Sequence, residues 1–144
     1  MKKIIRVAAC GGFDPAHIGH IEYLQKAKAL GDWLIVILNN DNWLKKKKGF
    51  CFMKEQERKK ILESFRFVDE VVITKHKPNT KDLSVCDALK KIMPDILAKG
   101  GDKVRSNIPE TELCDRLGIK IVDGLGKKIQ SSSELIAITA KKLK

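Results

Sequence analysis

Two histidines three residues apart, His17 and His20, close the stretch Gly11-Gly12-Phe13-Asp14-Pro15-Ala16-His17-Ile18-Gly19-His20. The apolar run 4–10 before this stretch reads as a strand and the pattern 18–30 after it as a helix, so the imidazoles fall where a strand hands over to a helix. Backbone N–H groups at a helix start lack intrahelical partners and carry the positive end of the helix dipole, which stabilises an anion there. Residues three apart share one face of the first turn, so both rings are expected at the same anion. Gly19 between them has no Cβ to hold a bulky ligand away from the backbone. The chemistry expected here is phosphate binding. No protein metal site is expected, because two histidines lack a third ligand and no Cys-x-x-Cys pair or His-Glu-x-x-His completes one.

Two further runs suit the same ligand. Lys99-Gly100-Gly101-Asp102 follows the short apolar run 95–98, and its paired glycines let the backbone approach a flat base or ribose while Asp102 offers an acceptor. Ser131-Ser132-Ser133 precedes Leu135, Ile136 and Ile138, where an N-cap belongs; its hydroxyls and free N–H groups would grip a phosphate, although a capping serine near Glu134 explains the run equally well. The lysines at 45–48 read mostly as a solvated basic loop, and His76, in a lysine-rich loop without a motif, as ordinary surface.

The elements that must position these groups alternate along the chain. Strands are expected at 4–10, 33–38, 70–74, 95–98 and 120–122, and helices at 18–30, 54–65, 82–92, 109–117 and 132–142. Such alternation implies parallel pairing with right-handed crossovers, hence a doubly wound, Rossmann-like α/β fold with a five-stranded sheet covered on both faces. Gly31 and Gly118 are expected as left-handed residues ending helices, Pro109 as part of a helix's opening turn, and Glu110 and Glu112 as complements to that helix's dipole. The segments 45–51, 76–81 and 100–107 lack periodicity and read as the least ordered loops. In open α/β sheets ligands sit beyond the carboxyl ends of the strands where strand order reverses, and the motifs are expected to converge there.

Composition narrows the function classes. The 144 residues suit one domain spanning 1–144, large enough to bury a two-sided core without disulfides or metal. With 29 Lys and Arg against 18 Asp and Glu, the net charge of +11 attracts polyanions of any kind. The lysines are scattered and aromatic residues few, which ranks nucleic acid well below small phosphates. Cys10, Cys51, Cys86 and Cys114 are widely spread and read as reduced fillers of a reducing compartment. No long apolar span or cleavable signal pattern is present, so a cytoplasmic location without membrane contact is expected.

The segment G-x-F-D-x-x-H-x-G-H resembles the signature of the nucleotidyltransferase superfamily that includes glycerol-phosphate cytidylyltransferases, heptose-phosphate adenylyltransferases and phosphopantetheine adenylyltransferases. The resemblance implies catalytic His17 and His20, with Gly11, Gly12, Phe13, Asp14 and Gly19 around the nucleotide. Lys99-Gly100-Gly101-Asp102 resembles the K-G-G-D of the heptose-phosphate enzymes, which implies nucleotide contacts from Gly100, Gly101 and Asp102, and Ser131, Ser132 and Ser133 look like the family's I-S-S-S element. Before those serines stand Lys127-Lys128-Ile129-Gln130 where many relatives carry arginine and then glycine-isoleucine, so Lys128 would meet substrate as a point charge without Arg's fork. Lys48-Gly49 resembles the family's lysine-glycine pair, which implies a catalytic Lys48 with Lys45 and Lys46 as rivals; the arginine that often follows is absent, Phe50-Cys51-Phe52-Met53 standing there. Glu57-Arg58 resembles an acid-arginine element in which Arg58 either reaches a substrate phosphate or braces the loop. The implied reaction moves a nucleoside monophosphate from ATP or CTP to a phosphorylated small molecule, a sugar or polyol phosphate, with magnesium carried by the triphosphate. The K-G-G-D run favours ATP and a heptose-type acceptor, whereas Gly31-Asp32-Trp33 is equally at home in the CTP-using glycerol-phosphate enzymes. Relatives are often homodimers. A basic nucleic-acid-binding module without turnover is the reading from another class.

Overall fold

The computed structural model describes residues 3–101 and 108–125. Five strands, β1 (Arg6–Gly11), β2 (Trp33–Leu38), β3 (Glu70–Ile73), β4 (Ile96–Gly100) and β5 (Lys120–Leu125), form one sheet in the order β3-β2-β1-β4-β5. Every pairing is parallel, with Ala8 opposite Ile35 on one side and Leu97 on the other. The helices are α1 (Ile18–Lys28), α2 (Asp41–Lys48), α3 (Glu55–Glu63), α4 (Cys86–Ile92) and α5 (Thr111–Leu117).

Alternate residues of a strand point to opposite faces, and both faces are buried. Val7 and Ala9 of β1 join Leu34, Val36 and Leu38 of β2 in packing with Tyr23, Leu24 and Ala27 of α1 and Leu62 of α3. On the other face Ala8, Ile37 and Leu97 meet Leu89 of α4 and Leu113 and Cys114 of α5. This is the expected doubly wound α/β arrangement. The chain runs outward from β1 through β2 to β3, then returns to place β4 on β1's other side. Strand order therefore reverses between β1 and β4, and a crevice opens at their carboxyl ends.

Four local expectations are corrected. The basic segment after β2 is a helix: the Asn40 side chain accepts from Trp43 N–H at 2.9 Å, Gly49 closes α2 at φ 85°, and Leu44 is the one residue of α2 that it buries. Four consecutive lysines hide that apolar anchor from any periodicity. The helix expected from 82 starts at Cys86, because the Asp82 carboxylate takes the Ser84 N–H at 2.9 Å and turns the chain first. His76 is no ordinary surface residue. Its ring lies 2.8 Å from both Thr74 Oγ1 and the Ser84 carbonyl, and its own carbonyl accepts from the Asn40 and Asn42 amides.

Gly31 ends α1's turn for a reason other than the one expected. It is absent from the left-handed residues, which include Gly49, Gly101, Gly118 and Gly124. A Cβ there would stand 2.8 Å from both the Ile5 carbonyl oxygen and Val7 Cγ2. Close packing of the turn on β1 is what excludes a side chain. Gly31→Ala should therefore destabilise the fold by about 1–3 kcal/mol, measured as a lowered urea midpoint, although alanine is ordinarily well tolerated beside a helix end. The expected last helix at 132–142 lies outside the described residues.

Candidate active site

The crevice beyond β1 and β4 has a volume of about 590 Å³. Gly11, Gly12, Phe13, His17, Gly19, His20, Lys48, Gly100 and Gly101 all line it, so the turn after β1, the end of α2 and the turn after β4 meet as the motifs implied. Asp102, Lys128, Ser131, Ser132 and Ser133 lie outside the described residues.

His17 is the N-cap of α1 and His20 its third residue. Nδ1 of His17 accepts the Gly19 N–H at 3.1 Å, and Nδ1 of His20 accepts the His17 N–H at 3.2 Å. A ring nitrogen that accepts carries no proton, so each neutral imidazole holds its hydrogen on Nε2. The rings stack with centroids 3.8 Å apart, and Phe13 packs edge-on against His20 at 4.8 Å. Phe13 thus supports the ring from the core, being 3 % exposed. Burial, then the neighbouring His17 and Lys48, push the His20 pKa down to about 3; burial and Lys48 lower that of His17. Both rings are therefore neutral N–H donors at neutral pH. His17 Nε2 is buried without a partner. The reciprocal capping also uses first-turn N–H groups that were expected to be free for an anion, leaving the imidazoles to extend the donor surface.

Among the candidate lysines, Lys48 lines the crevice and Lys46 does not. A helical turn of 100° per residue points successive side chains in different directions, which α2 imposes on the whole lysine run. Burial lowers the pKa of Lys48, the Asp14 carboxylate raises it and Lys47 lowers it further.

Asp14 and Arg58 both hold backbone around the crevice. The Asp14 carboxylate, 4 % exposed, accepts the Phe52 and Met53 N–H groups at 2.6 and 2.7 Å. The Arg58 side chain is wholly buried in α3: Nε donates to the Met53 carbonyl at 2.9 Å, Nη1 to the carbonyls of Gly12 and Asn39 at 2.8 and 2.6 Å, and Nη2 to Asp41 at 2.7 Å. Those bonds tie the glycine turn, the end of β2, the start of α2 and the segment before α3 to one planar group. Of the two roles open to Arg58, the structure shows the brace.

Trp43, Lys99, Glu110 and Asn39 also line the crevice, and none of them has a ligand-contacting role legible in the sequence. Trp43 has its indole N–H fixed on the Leu83 carbonyl at 2.8 Å. Lys99 lies on the crevice floor, its ammonium 3.1 Å from Cys10 Sγ and 3.2 Å from Glu110 Oε1. Burial opposes that charge, but Cys10, Glu110 and Tyr23 outweigh it and hold the lysine protonated. Glu110, expected to serve the dipole of α5, is 2 % exposed and its Oε2 takes the Val85 N–H at 2.9 Å. Asn39, at the end of β2, is 4 % exposed. The available signal for Lys99 was its place directly before the paired glycines; Glu110 and Asn39 carried none, since the partners Lys99, Arg58 and Val85 that hold them are 11 to 25 positions away in the chain.

A family model described as cytidylyltransferase-like matches residues 8–135. The chain belongs to the cytidylyltransferase-like family. An FAD synthase of Pyrococcus horikoshii is 43 % identical over 100 residues, covering 69 % of this chain and 64 % of that protein. The bifunctional protein HldE of Syntrophotalea carbinolica is 38 % identical over 121 residues, covering 79 % of this chain and 24 % of that one. The matched regions thus span less than two thirds of either relative. The crystal structure of a lipopolysaccharide core biosynthesis protein from Thermoplasma volcanium superposes with a TM-score of 0.71 at 28 % identity, over 86 % of this chain and 98 % of that one. The matched residues 8–135 include all of the sheet but Arg6 and Val7, and every residue lining the crevice.

Two measurements follow from this geometry. Arg58→Met leaves Asp41 and three carbonyls without their donor, and should cost about 3–5 kcal/mol in urea unfolding. His20 takes a proton near 6.5 when unfolded but only at about 3 in the fold. The unfolded chain binds more protons throughout that window, so stability should fall as pH drops from 6.5 toward 3, by up to about 1.4 kcal/mol per pH unit. In His20→Gln that component should vanish from the difference in urea midpoint between about pH 7.5 and about pH 4.5.

Proposed function

We propose that the crevice transfers AMP from ATP to the phosphate of a small phosphorylated acceptor, releasing pyrophosphate. The observation that carries this reading is the pair of stacked, neutral imidazoles with the Nε2 atom of His17 unpartnered, beside Lys48 and at the reversal of strand order. An acceptor phosphate oxygen attacks the α-phosphorus, the bond from that phosphorus to the bridging oxygen breaks, and the electron pair leaves with pyrophosphate. The nucleophile is already an anion, so no general base is required. Alignment and charge stabilisation supply the acceleration. His17 and His20 donate Nε2–H to the triphosphate and Lys48 covers the leaving group, while Gly100 and Gly101 admit the nucleoside. Magnesium enters with the triphosphate, whose oxygens are its ordinary ligands; among the described residues no three His, Cys, Asp or Glu side chains are grouped to hold an ion.

ATP is favoured over CTP by the K-G-G-D run and by the similarity to FAD synthase, whose product by name is an adenine dinucleotide. A heptose-type sugar phosphate is the leading acceptor; the 43 % identity to an FAD synthase favours FMN as the second. Among the described residues no helix is long and apolar enough to cross a membrane.

Pyrophosphate release should be measured with ATP and CTP, each against a heptose 1-phosphate, FMN and glycerol 3-phosphate. ATP with one of the first two should turn over, and His17→Ala or His20→Ala should lower kcat by about 10²–10³-fold. Lys48→Ala should lower it similarly and Lys46→Ala should not. Undiminished turnover in both histidine variants, or release with no pair while long polyanions bind in a salt-sensitive way, would overturn the reading.

A further inference from the structure

A second cavity, of about 690 Å³, lies between the β3 edge of the sheet and α4. Among the described strands β3 is hydrogen-bonded to β2 alone, so no further strand flanks it there. Val72 stands opposite Ile37, which packs in the cluster that includes α4, and together with Ala88 and Ile92 of α4 it gives the cavity an apolar lining. The volume is that of a small-molecule site.

The rest of the lining is basic. Lys75, Lys77 and Lys81 come from the chain between β3 and α4, and Lys90 and Lys91 from α4 itself. All five are exposed, and among the described residues none of them is in an ion pair. The two carboxylates that share the lining have other tasks: Asp82 Oδ1 accepts the Ser84 N–H at 2.9 Å, and Asp87 in the first turn of α4 complements the helix dipole. Charge of one sign around a cleft with apolar walls focuses its field on whatever enters. The complement is a compact ligand with several negative charges, and linked phosphates concentrate more charge in a small volume than carboxylates do. Lysine binds phosphate as a point charge, without requiring one geometry. Among the described residues the lining has no Phe, Trp or Tyr on which the bases of a nucleic acid would stack. A second copy of this chain, itself at +11, opposes the field.

The cavity and the crevice share a wall, since Asp82, Ser84 and Val85 line both. That wall is tied on each side. The His76 ring bridges Thr74 and the Ser84 carbonyl on the side of the cavity, while the Leu83 carbonyl fixes the Trp43 indole and Val85 N–H is held by Glu110 on the side of the crevice. We propose that the cavity between β3 and α4 is a second ligand site, separate from the crevice, which binds a small polyphosphate through Lys75, Lys77, Lys81, Lys90 and Lys91, and that its occupancy is transmitted to the crevice through the shared segment 82–85. Nucleoside polyphosphates and inorganic pyrophosphate share this chemistry, and the arms of the experiment separate them.

ADP and inorganic pyrophosphate are each titrated calorimetrically into the full chain, into the double variant His20→Ala with Lys48→Ala, which disables the crevice, and into a variant combining Lys77→Gln, Lys81→Gln, Lys90→Gln and Lys91→Gln. An equivalent of at least one probe should persist when the crevice is disabled, and should weaken as salt rises from about 0.05 to about 0.5 M. The four-lysine variant should lose about tenfold or more in affinity for that equivalent, while its urea midpoint shows an intact fold by staying within about 0.5 kcal/mol of the unmodified protein. ADP alone would identify a nucleotide as the ligand; equal binding of both probes would identify the linked phosphates. In the unmodified protein, filling either site should change the affinity of the other by one common factor of about five or more. No equivalent outside the crevice, or one that the four lysine changes leave untouched, overturns the site. Displacement of both probes by a far tighter RNA oligonucleotide or polyglutamate also overturns it, because the groove would then serve a macromolecule. Affinities that do not respond to each other overturn the transmission. None of these readouts requires turnover, so a failure of the nucleotidyl-transfer reading, seen in pyrophosphate release, is scored separately.

Discussion

The guanidinium of Arg58 is the constraint on which the crevice depends. It is a buried charge, and removing a charge from water is costly unless every neighbouring group compensates. Here the carbonyls of Gly12, Asn39 and Met53 and the Asp41 carboxylate provide that compensation. The compensation also defines geometry. Gly12 belongs to the turn before the histidines, Asn39 to the end of β2, Asp41 to the first residue of the lysine-bearing α2, and Met53 to the segment that Asp14 pins. One planar group with donors in fixed directions thus fixes four pieces of chain from different parts of the sequence relative to one another.

Around that brace the site separates charge from hydrogen-bond donation. The chain carries a net charge of +11, yet the two imidazoles at the helix start are neutral, because burial and the nearby Lys48 oppose their protonation. Fixed N–H dipoles in a partly buried setting need no proton exchange and little reorganisation when charge develops on a phosphate. Positive charge comes instead from Lys48, at the end of α2, and from Lys99, held protonated on the floor beside Glu110. The crevice therefore combines neutral imidazole donors with two lysine charges.

Much of this was legible from local pattern. The alternation of apolar runs with helical spacing placed every described strand within a few residues, and β2 at its observed bounds. The histidine turn and the paired glycines fell into one crevice, as their positions after β1 and β4 required. Local pattern failed where a single long-range bond outweighed it. Lys45 to Lys48 looked like solvated loop because α2 buries only Leu44. His76 looked free because its partners, Thr74, Ser84 and the amides of Asn40 and Asn42, converge on it only through the fold. Gly31 looked like a left-handed cap, but its reason is the approach of Ile5 and Val7.

By itself the sequence determined the parallel α/β class and the placing of His17 and His20 at a helix start, because both follow from periodicity and from spacing within one turn. Only the tertiary structure decided that Arg58 braces four segments of chain, that Lys48 faces the crevice while Lys46 does not, and that the side-chain oxygens of Asn39 and Glu110 are buried there. The physical reason is the range of the interactions. Helix and strand formation is set by neighbours along the chain, whereas desolvation, ion pairing and the satisfaction of buried polar groups depend on residues that become neighbours only when β2 and β4 flank β1.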